Sequence, residues 1–314
     1  MNNPFHDLAK NKRAYVVYSI GQKFIDMTET LIGQLNRYSK YPVFLYYSRG
    51  TVNFNSPNLI KQKFEFPDLM DYNLHGLDPE KVRERILNNI KPLVVDKFLN
   101  DYDVDEFVYL DADILVTPVI DSVFTKYADL IENSPIFLKY TWDWVFVNGK
   151  PQVGDRILEK LGIERKPTVY SLCAGFFIGN KNCKSFMSDY KRICLDPDLI
   201  KMCIEDPLVY QEFNDEPIAN AVVWLYEGKH YIQPDFLWTW KFESVKFMFD
   251  FYDGKVGSLP NHSSLPNHYQ IPAEYEIPHG LSVIPKLKMD LLGIHSLKDP
   301  EMIKKAAEEI EKRF

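Results

Sequence analysis

Residues 13–47 open the chain with a strand, a helix and a second strand, and that order leaves few folds available. The run Arg-Ala-Tyr-Val-Val-Tyr-Ser-Ile at 13–20 is almost unbroken apolar and aromatic sequence of strand length. Gly21 then turns the chain, and Phe24, Met27, Leu31 and Leu35 recur at helical spacing as far as Tyr38. Residues 41–47 supply the next strand. A β-α-β unit of this kind predicts two parallel strands joined by a right-handed crossover, and with it an α/β fold class. The 314 residues suit one large α/β domain or two small ones. With no internal repeat and no low-complexity linker, one continuous domain over 1–314 is expected, with an elaborated second half.

Further along, residues 79–99 are expected to be helical, broken or kinked near Pro92. They lead into a buried strand at 107–110. Strands are also expected at 134–138, 172–178 and 230–232, and a helix at 217–226. From 253 to 285 the chain reads as loop, with Pro260, Pro266, Pro272, Pro278 and Pro285 recurring. A terminal helix from Glu301 to Arg313 is signalled by Asp299 as N-cap and Pro300 in its first position.

The strand at 107–110 ends in two carboxylates, Phe107-Val-Tyr-Leu-Asp-Ala-Asp113, with the apolar residues 114–116 after them. Asp111 and Asp113 lie two apart, so in extended backbone they point the same way. Like charges held together at the end of a buried strand repel and lose hydration, unless a cation bridges them or one takes up a proton. A divalent cation carrying a phosphate ligand answers this best, since hard oxygen ligands suit Mg²⁺ or Mn²⁺. The same spacing at Asp101/Asp103, Asp103/Asp105 and Asp196/Asp198 lies in polar or proline-containing sequence and reads as solvated. Open α/β sheets bind ligands beyond the carboxyl ends of their strands. Residues 19–21 and 111–113 both follow such an end, so they are expected to converge on one crevice.

Bulk properties exclude other classes. A net charge of −7 argues against nucleic acid, which is bound through Lys and Arg contacts to phosphate. The four cysteines, Cys173, Cys183, Cys194 and Cys203, form no Cys-x-x-Cys pair, so neither a structural zinc nor a redox motif is indicated. The N-terminus lacks the build of a signal peptide, and no apolar run approaches the roughly eighteen residues of a spanning helix. A cytoplasmic protein without a membrane span is the expectation.

These residues together resemble the nucleotide-sugar-dependent glycosyltransferases of the GT-A fold, closest to the glycogenin and bacterial galactosyltransferase-like group. The likeness covers roughly residues 13–300. It starts from the β-α-β opening and Val-Tyr-Leu-Asp-Ala-Asp113, and three stretches follow in order. Ser171-Leu-Cys-Ala-Gly-Phe-Phe-Ile-Gly-Asn180 resembles the family's Asn-Ala-Gly strand beside the donor sugar. Asn214-Asp-Glu-Pro-Ile-Ala-Asn220 resembles its Asp-Gln-x-x-Leu-Asn segment, with Glu216 in place of Gln. Residues 292–300, Leu-Gly-Ile-His-Ser-Leu-Lys-Asp-Pro, resemble its late His-x-x-Gly-x-Lys-Pro loop without that loop's glycine.

The resemblance implies a Rossmann-like mixed sheet flanked by helices. It places a nucleotide-binding half at about 13–130 and a loop-rich acceptor and sugar half at about 131–314. It also implies metal-dependent transfer of a hexosyl or pentosyl group from a nucleoside diphosphate sugar, UDP-sugar favoured, to a hydroxyl on a glycan, lipid-linked or protein acceptor. Asp111, Asp113 and His295 would hold Mn²⁺ or Mg²⁺, which would neutralise charge on the leaving phosphate. Lys298 would pair with the diphosphate. Lys91 and Lys97 stand where related enzymes place a phosphate-facing base, and Tyr18 and Ser19 would line the nucleobase pocket. Ala174 and Gly175 would lie beside the donor sugar. Asp215 and Glu216 would act as catalytic carboxylates or as hydrogen-bond acceptors to the sugar or acceptor, and Trp238 and Trp240 are candidate acceptor platforms. Two other readings stay open: a non-catalytic nucleotide-sugar or glycan binder, and a sugar nucleotidyltransferase. The latter calls for a glycine-rich basic loop after the first strand, and residues 18–22 carry none.

Overall fold

The computed structural model of the protein describes residues 12–64, 78, 80, 82, 90–112, 114–116, 120–139, 153–164, 172–205, 215–232 and 258–260. In chain order the strands are β1 (Arg13–Ile20), β2 (Val43–Ser48), β3 (Leu59–Lys63), β4 (Glu106–Asp111), β5 (Ile114–Val116), β6 (Ile136–Lys139), β7 (Leu172–Asn180) and β8 (Ser258–Pro260). The helices are α1 (Gln22–Tyr38), α2 (Lys91–Asp101), α3 (Ser122–Tyr127), α4 (Val153–Leu161), α5 (Lys184–Cys194), α6 (Pro197–Glu205) and α7 (Asp215–Leu225).

Six strands form one sheet in the order β3-β2-β1-β4-β7-β6, and β5 pairs with β8 in a second, two-stranded one. As the β-α-β opening predicts, β1 and β2 run parallel, and β3 and β4 continue the parallel set. β7 runs antiparallel to both β4 and β6. The result is an α/β fold, a mixed sheet flanked by helices.

Both faces of the sheet are covered, which is why β1 is apolar along nearly its whole length. Ala14, Val16 and Tyr18 face one core with Val94 and Phe98 of α2, Phe186 and Tyr190 of α5, and Ile218 and Val222 of α7. Tyr15 and Val17 face the other, with Leu31 and Leu35 of α1 and Phe124 of α3. Rings dominate the first core: Phe177 stacks on Tyr109 with centroids 4.9 Å apart, and Phe98 meets Phe44 edge-on at 5.0 Å. Among the described residues no helix is long and apolar enough to cross a membrane.

The break expected near Pro92 is present, because Ile90 is not helical and a new helix starts at Lys91. Ile90 is the N-cap of α2, and the proline lies in the first turn, where its missing N–H leaves no bond unmade. Three expectations need correction. β3 was not foreseen because it is an edge strand of Leu-Ile-Lys-Gln-Lys, in which polar side chains are tolerated. Residues 258–260, inside the expected proline-rich loop, pair with β5. At 230–232 the expected strand is a single bridge, Leu138 to Ile232. Helices α3 to α6 were also not foreseen. The terminal helix, Trp238 and Trp240 lie outside the described residues.

Candidate functional site

The order of the strands fixes where a ligand enters. From β1 the chain builds outward through β2 and β3, then returns to lay β4 on the other side of β1. α1 leaves β1 on one face of the sheet, while α2 approaches β4 on the other. Such a reversal opens a crevice beyond the carboxyl ends of the two strands between which it occurs. Tyr18 of β1 and Asp111 of β4 are partners in register at that end.

Three charged side chains meet there. Lys91 Nζ lies 3.0 Å from Asp111 Oδ2 and 2.8 Å from Asp215 Oδ2. The three are brought in by a strand end and by the starts of two helices. Lys91 is the first residue of α2, an unfavourable place for a cation because the helix dipole is positive there, at a cost of about 0.3–1 kcal/mol. Asp215 and Glu216 begin α7, where the same dipole favours them. Burial works against the charge on Lys91, but Asp111 and Asp215 outweigh it and hold the ammonium well above its ordinary pKa. Burial pushes the Asp215 carboxyl up, with Lys91 opposing the shift and Asp111 adding to it.

The surrounding residues fix this cluster. Tyr109 O–H donates to Asp111 Oδ1 at 3.0 Å. Burial and the neighbouring Asp111 raise that phenol well above its usual pKa, so it stays a donor. Tyr190 O–H donates to the Asp215 carbonyl at 2.8 Å. Asn220 is fully buried: it accepts from Leu172 N–H at 3.0 Å and donates to the carbonyls of Leu172 and Glu216 at 3.2 and 2.8 Å. It therefore ties the start of α7 to the start of β7. Gly175 of β7 abuts Asp111, since a Cβ there would stand 2.7 Å from Asp111 Oδ2.

The predicted site residues thus separate into groups. Asp111, Lys91 and Asp215 converge, Gly175 touches Asp111, and Glu216 is buried beside Asp215 at the start of α7. Ala174 is packed in the first core. Tyr18 is buried with its hydroxyl 3.1 Å from Ser48 Oγ, and Phe64 lies edge-on to its ring. Ser19 is buried against α1, where its hydroxyl meets that of Thr28. Lys97 does not join the cluster: it is half-exposed and pairs with Asp101 four residues on, at 2.8 Å. Asp113, His295 and Lys298 lie outside the described residues. Tyr109, Tyr190 and Asn220 were not singled out from sequence as site residues. Tyr109 carried a usable signal, because a residue two before Asp111 in a strand shares its face.

Among the described residues no group of three or more His, Cys, Asp or Glu gathers to hold a metal ion. The carboxylates present do suit a hard cation. Asp111 keeps 27% of its side-chain surface accessible. Asp215 Oδ2 is buried, and the 2.8 Å ion pair with Lys91 neutralises it there.

No family model and no curated protein sequence matches the chain. Among solved structures it is similar to that of the galactosyltransferase LgtC in complex with donor and acceptor sugar analogs. The two are 15% identical, the match spans 67% of this chain and 70% of that one, and the TM-score is 0.37. A likeness of that size says nothing of the reaction this chain performs.

Proposed function

We propose that this protein is a glycosyltransferase that moves a sugar from a nucleoside diphosphate sugar, UDP-sugar favoured, to an acceptor hydroxyl on a glycan, lipid-linked or protein acceptor. The observation that carries the reading is the meeting of Lys91, Asp111 and Asp215 beyond the carboxyl end of β4, beside the crevice where the winding of the sheet reverses.

Breaking the anomeric C–O bond leaves negative charge on the β-phosphate. The Lys91 ammonium and the positive starts of α2 and α7 stabilise charge that develops near them. Asp215 holds the ammonium in place, and the bare backbone at Gly175 keeps room beside Asp111. Asp215 and Glu216 supply carboxylate acceptors at the same end. If transfer inverts configuration, one of them takes the proton of the acceptor hydroxyl; if it retains, they orient the sugar. A bound Mn²⁺ or Mg²⁺ would neutralise the leaving diphosphate, held by Asp111 with Asp113 and His295 as its other proposed ligands. Tyr18 and Ser19 would form the floor of the nucleobase side, and Lys298 would meet the diphosphate.

The test is a set of thermal melts with UDP, GDP and ADP, each with and without Mn²⁺, followed by assay of nucleoside diphosphate release from UDP-sugars. A ligand at about a hundred times its Kd adds about 2.7 kcal/mol, which such melts detect readily. UDP is expected to stabilise the protein when Mn²⁺ is present, and Asp111→Asn to abolish that stabilisation. Absence of any nucleotide effect on the folded protein refutes the reading. Tight nucleotide binding without diphosphate release over hours favours the non-catalytic binder.

A further inference from the structure

We infer that Lys91 is a tethered counter-ion that occupies the cation position on Asp111 and Asp215 until a nucleoside diphosphate arrives, so that metal alone binds poorly and metal with nucleotide binds well. The inference rests on the proposed nucleotide-sugar reading of this site and adds to it an order of binding.

Four features support it. The ammonium is shared between carboxylates of two different elements, at 3.0 Å from Asp111 Oδ2 and 2.8 Å from Asp215 Oδ2. Its surroundings exclude most water: side-chain exposure is 15% for Lys91 and 5% for Asp215. In such surroundings two carboxylates without a cation are costly, and one already neutralised has little left to offer a second cation. Lys91 also stands at the first position of α2, against the helix dipole, so the carboxylates rather than the helix hold it there. Finally, the buried Asp215 Oδ2 meets the Lys91 ammonium at 2.8 Å, so withdrawal of the ammonium leaves that oxygen in need of another cation.

With Lys91 seated, a divalent ion reaching Asp111 meets a neighbouring positive charge in a poorly hydrated place, and the two repel. A diphosphate relieves both problems at once. Its oxygens offer the ammonium a new partner, and they would add hard ligands to those the carboxylates give the metal. Metal and nucleotide then strengthen each other's binding, and by linkage the effect is equal in both directions. Lys91 acts here as a positioning residue that suppresses premature metal binding.

The experiment measures free Mn²⁺ by electron paramagnetic resonance during titration of wild type, Lys91→Met, Lys91→Gln and Lys91→Arg, first without nucleotide and then with UDP. Thermal melts with and without Mn²⁺ accompany each titration. Without nucleotide, Lys91→Met and Lys91→Gln are expected to bind Mn²⁺ at least about tenfold more tightly than wild type or Lys91→Arg, a difference of about 1.4 kcal/mol. Mn²⁺ is also expected to raise the melting temperature of those two variants, and the strengthening of Mn²⁺ binding by UDP to shrink in them. If Lys91→Met does not fold until Mn²⁺ is added, that rescue supports the inference, and the polar Lys91→Gln variant supplies the affinity. Equal Mn²⁺ affinity in wild type and in Lys91→Gln without nucleotide, while UDP still tightens Mn²⁺ in wild type, overturns the inference and leaves the functional reading standing. Failure of wild type to bind UDP at all, with or without Mn²⁺, overturns the functional reading and the order of binding with it.

Discussion

Replacing Gly175 with alanine adds one methyl group at the point where β7 passes the Asp111 carboxylate. The new Cβ would stand 2.7 Å from Asp111 Oδ2 and 3.3 Å from its Cγ. The carboxylate must move by about 0.7 Å to regain ordinary contact. It is not free to do so, because Lys91 Nζ holds Oδ2 at 3.0 Å and the Tyr109 hydroxyl holds Oδ1 at 3.0 Å. Loosening a hydrogen bond to a charged group costs about 1.5–3 kcal/mol, and forcing an extra methyl into a packed place costs about 1–3 kcal/mol. Replacing glycine in a strand returns about 0.5–1 kcal/mol. A net loss of about 1.5–5.5 kcal/mol follows, which for a chain of this size lowers Tm by about 2–8 °C. Gly179→Ala is the control. Its Cβ would stand 2.6 Å from the Phe107 ring, so it also destabilises, but it touches no carboxylate of the cluster. Differential scanning calorimetry with UDP and Mn²⁺ titrations on both variants separates the two effects. Both are expected to melt early, and only Gly175→Ala is expected to lose nucleotide and metal binding. A Gly175→Ala protein with wild-type Tm and wild-type binding refutes the contact and its place in the site.

Three smaller perturbations examine the supports. Asn220→Ala removes the partner of Leu172 N–H and of two carbonyls, all in a fully buried place, and is expected to cost about 2–4 kcal/mol in urea unfolding; a cost below about 0.5 kcal/mol would mean that α7 is anchored elsewhere. Arg49 follows β2 with φ at 54°, a left-handed conformation that costs a residue with a Cβ about 1–2 kcal/mol, so Arg49→Gly is expected to melt above Arg49→Ala, which loses the same side-chain contacts but keeps the Cβ, and the reverse order refutes the strain. Pro92→Ala is expected to change stability by less than about 1 kcal/mol, because the proline sits in the first turn of α2. A gain of about 3 kcal/mol in that variant would mean that the helix runs through this position and the proline interrupts it.

Much of the sheet was legible because its code is local. β1, β2, β4 and β7 are runs in which nearly every side chain is apolar, as strands covered on both faces must be. Elements with mixed codes were not read. β3 carries three polar residues in five and lies at the sheet edge. In α5 the buried residues Phe186, Met187, Tyr190, Ile193 and Cys194 follow the helical period, but they begin only six residues after a strand ends, in a stretch studded with lysines and cysteines. β8 pairs with β5 across more than a hundred residues, and neither three-residue segment announces a partner so distant.

The site divides along the same line. Asp111 was legible because an apolar strand ending in a carboxylate is a local anomaly that demands a cation. Which cation answers it in the folded chain was not legible, since that depends on the phase of a helix. Lys91 and Lys97 are six residues apart, and on a helix six residues place them about 120° from facing the same way. Placing a break or kink only somewhere near Pro92 leaves that phase undefined and makes the two lysines equivalent candidates. Reading the proline as the helix start puts Lys91 at the mouth of α2, where its ammonium reaches two carboxylates, and turns Lys97 to Asp101 and solvent. The placement of one residue without an N–H thus decides which lysine reaches the two carboxylates. The cost of seating that lysine against a helix dipole is borne by Asp111 and Asp215, one at a strand end and one more than a hundred residues later.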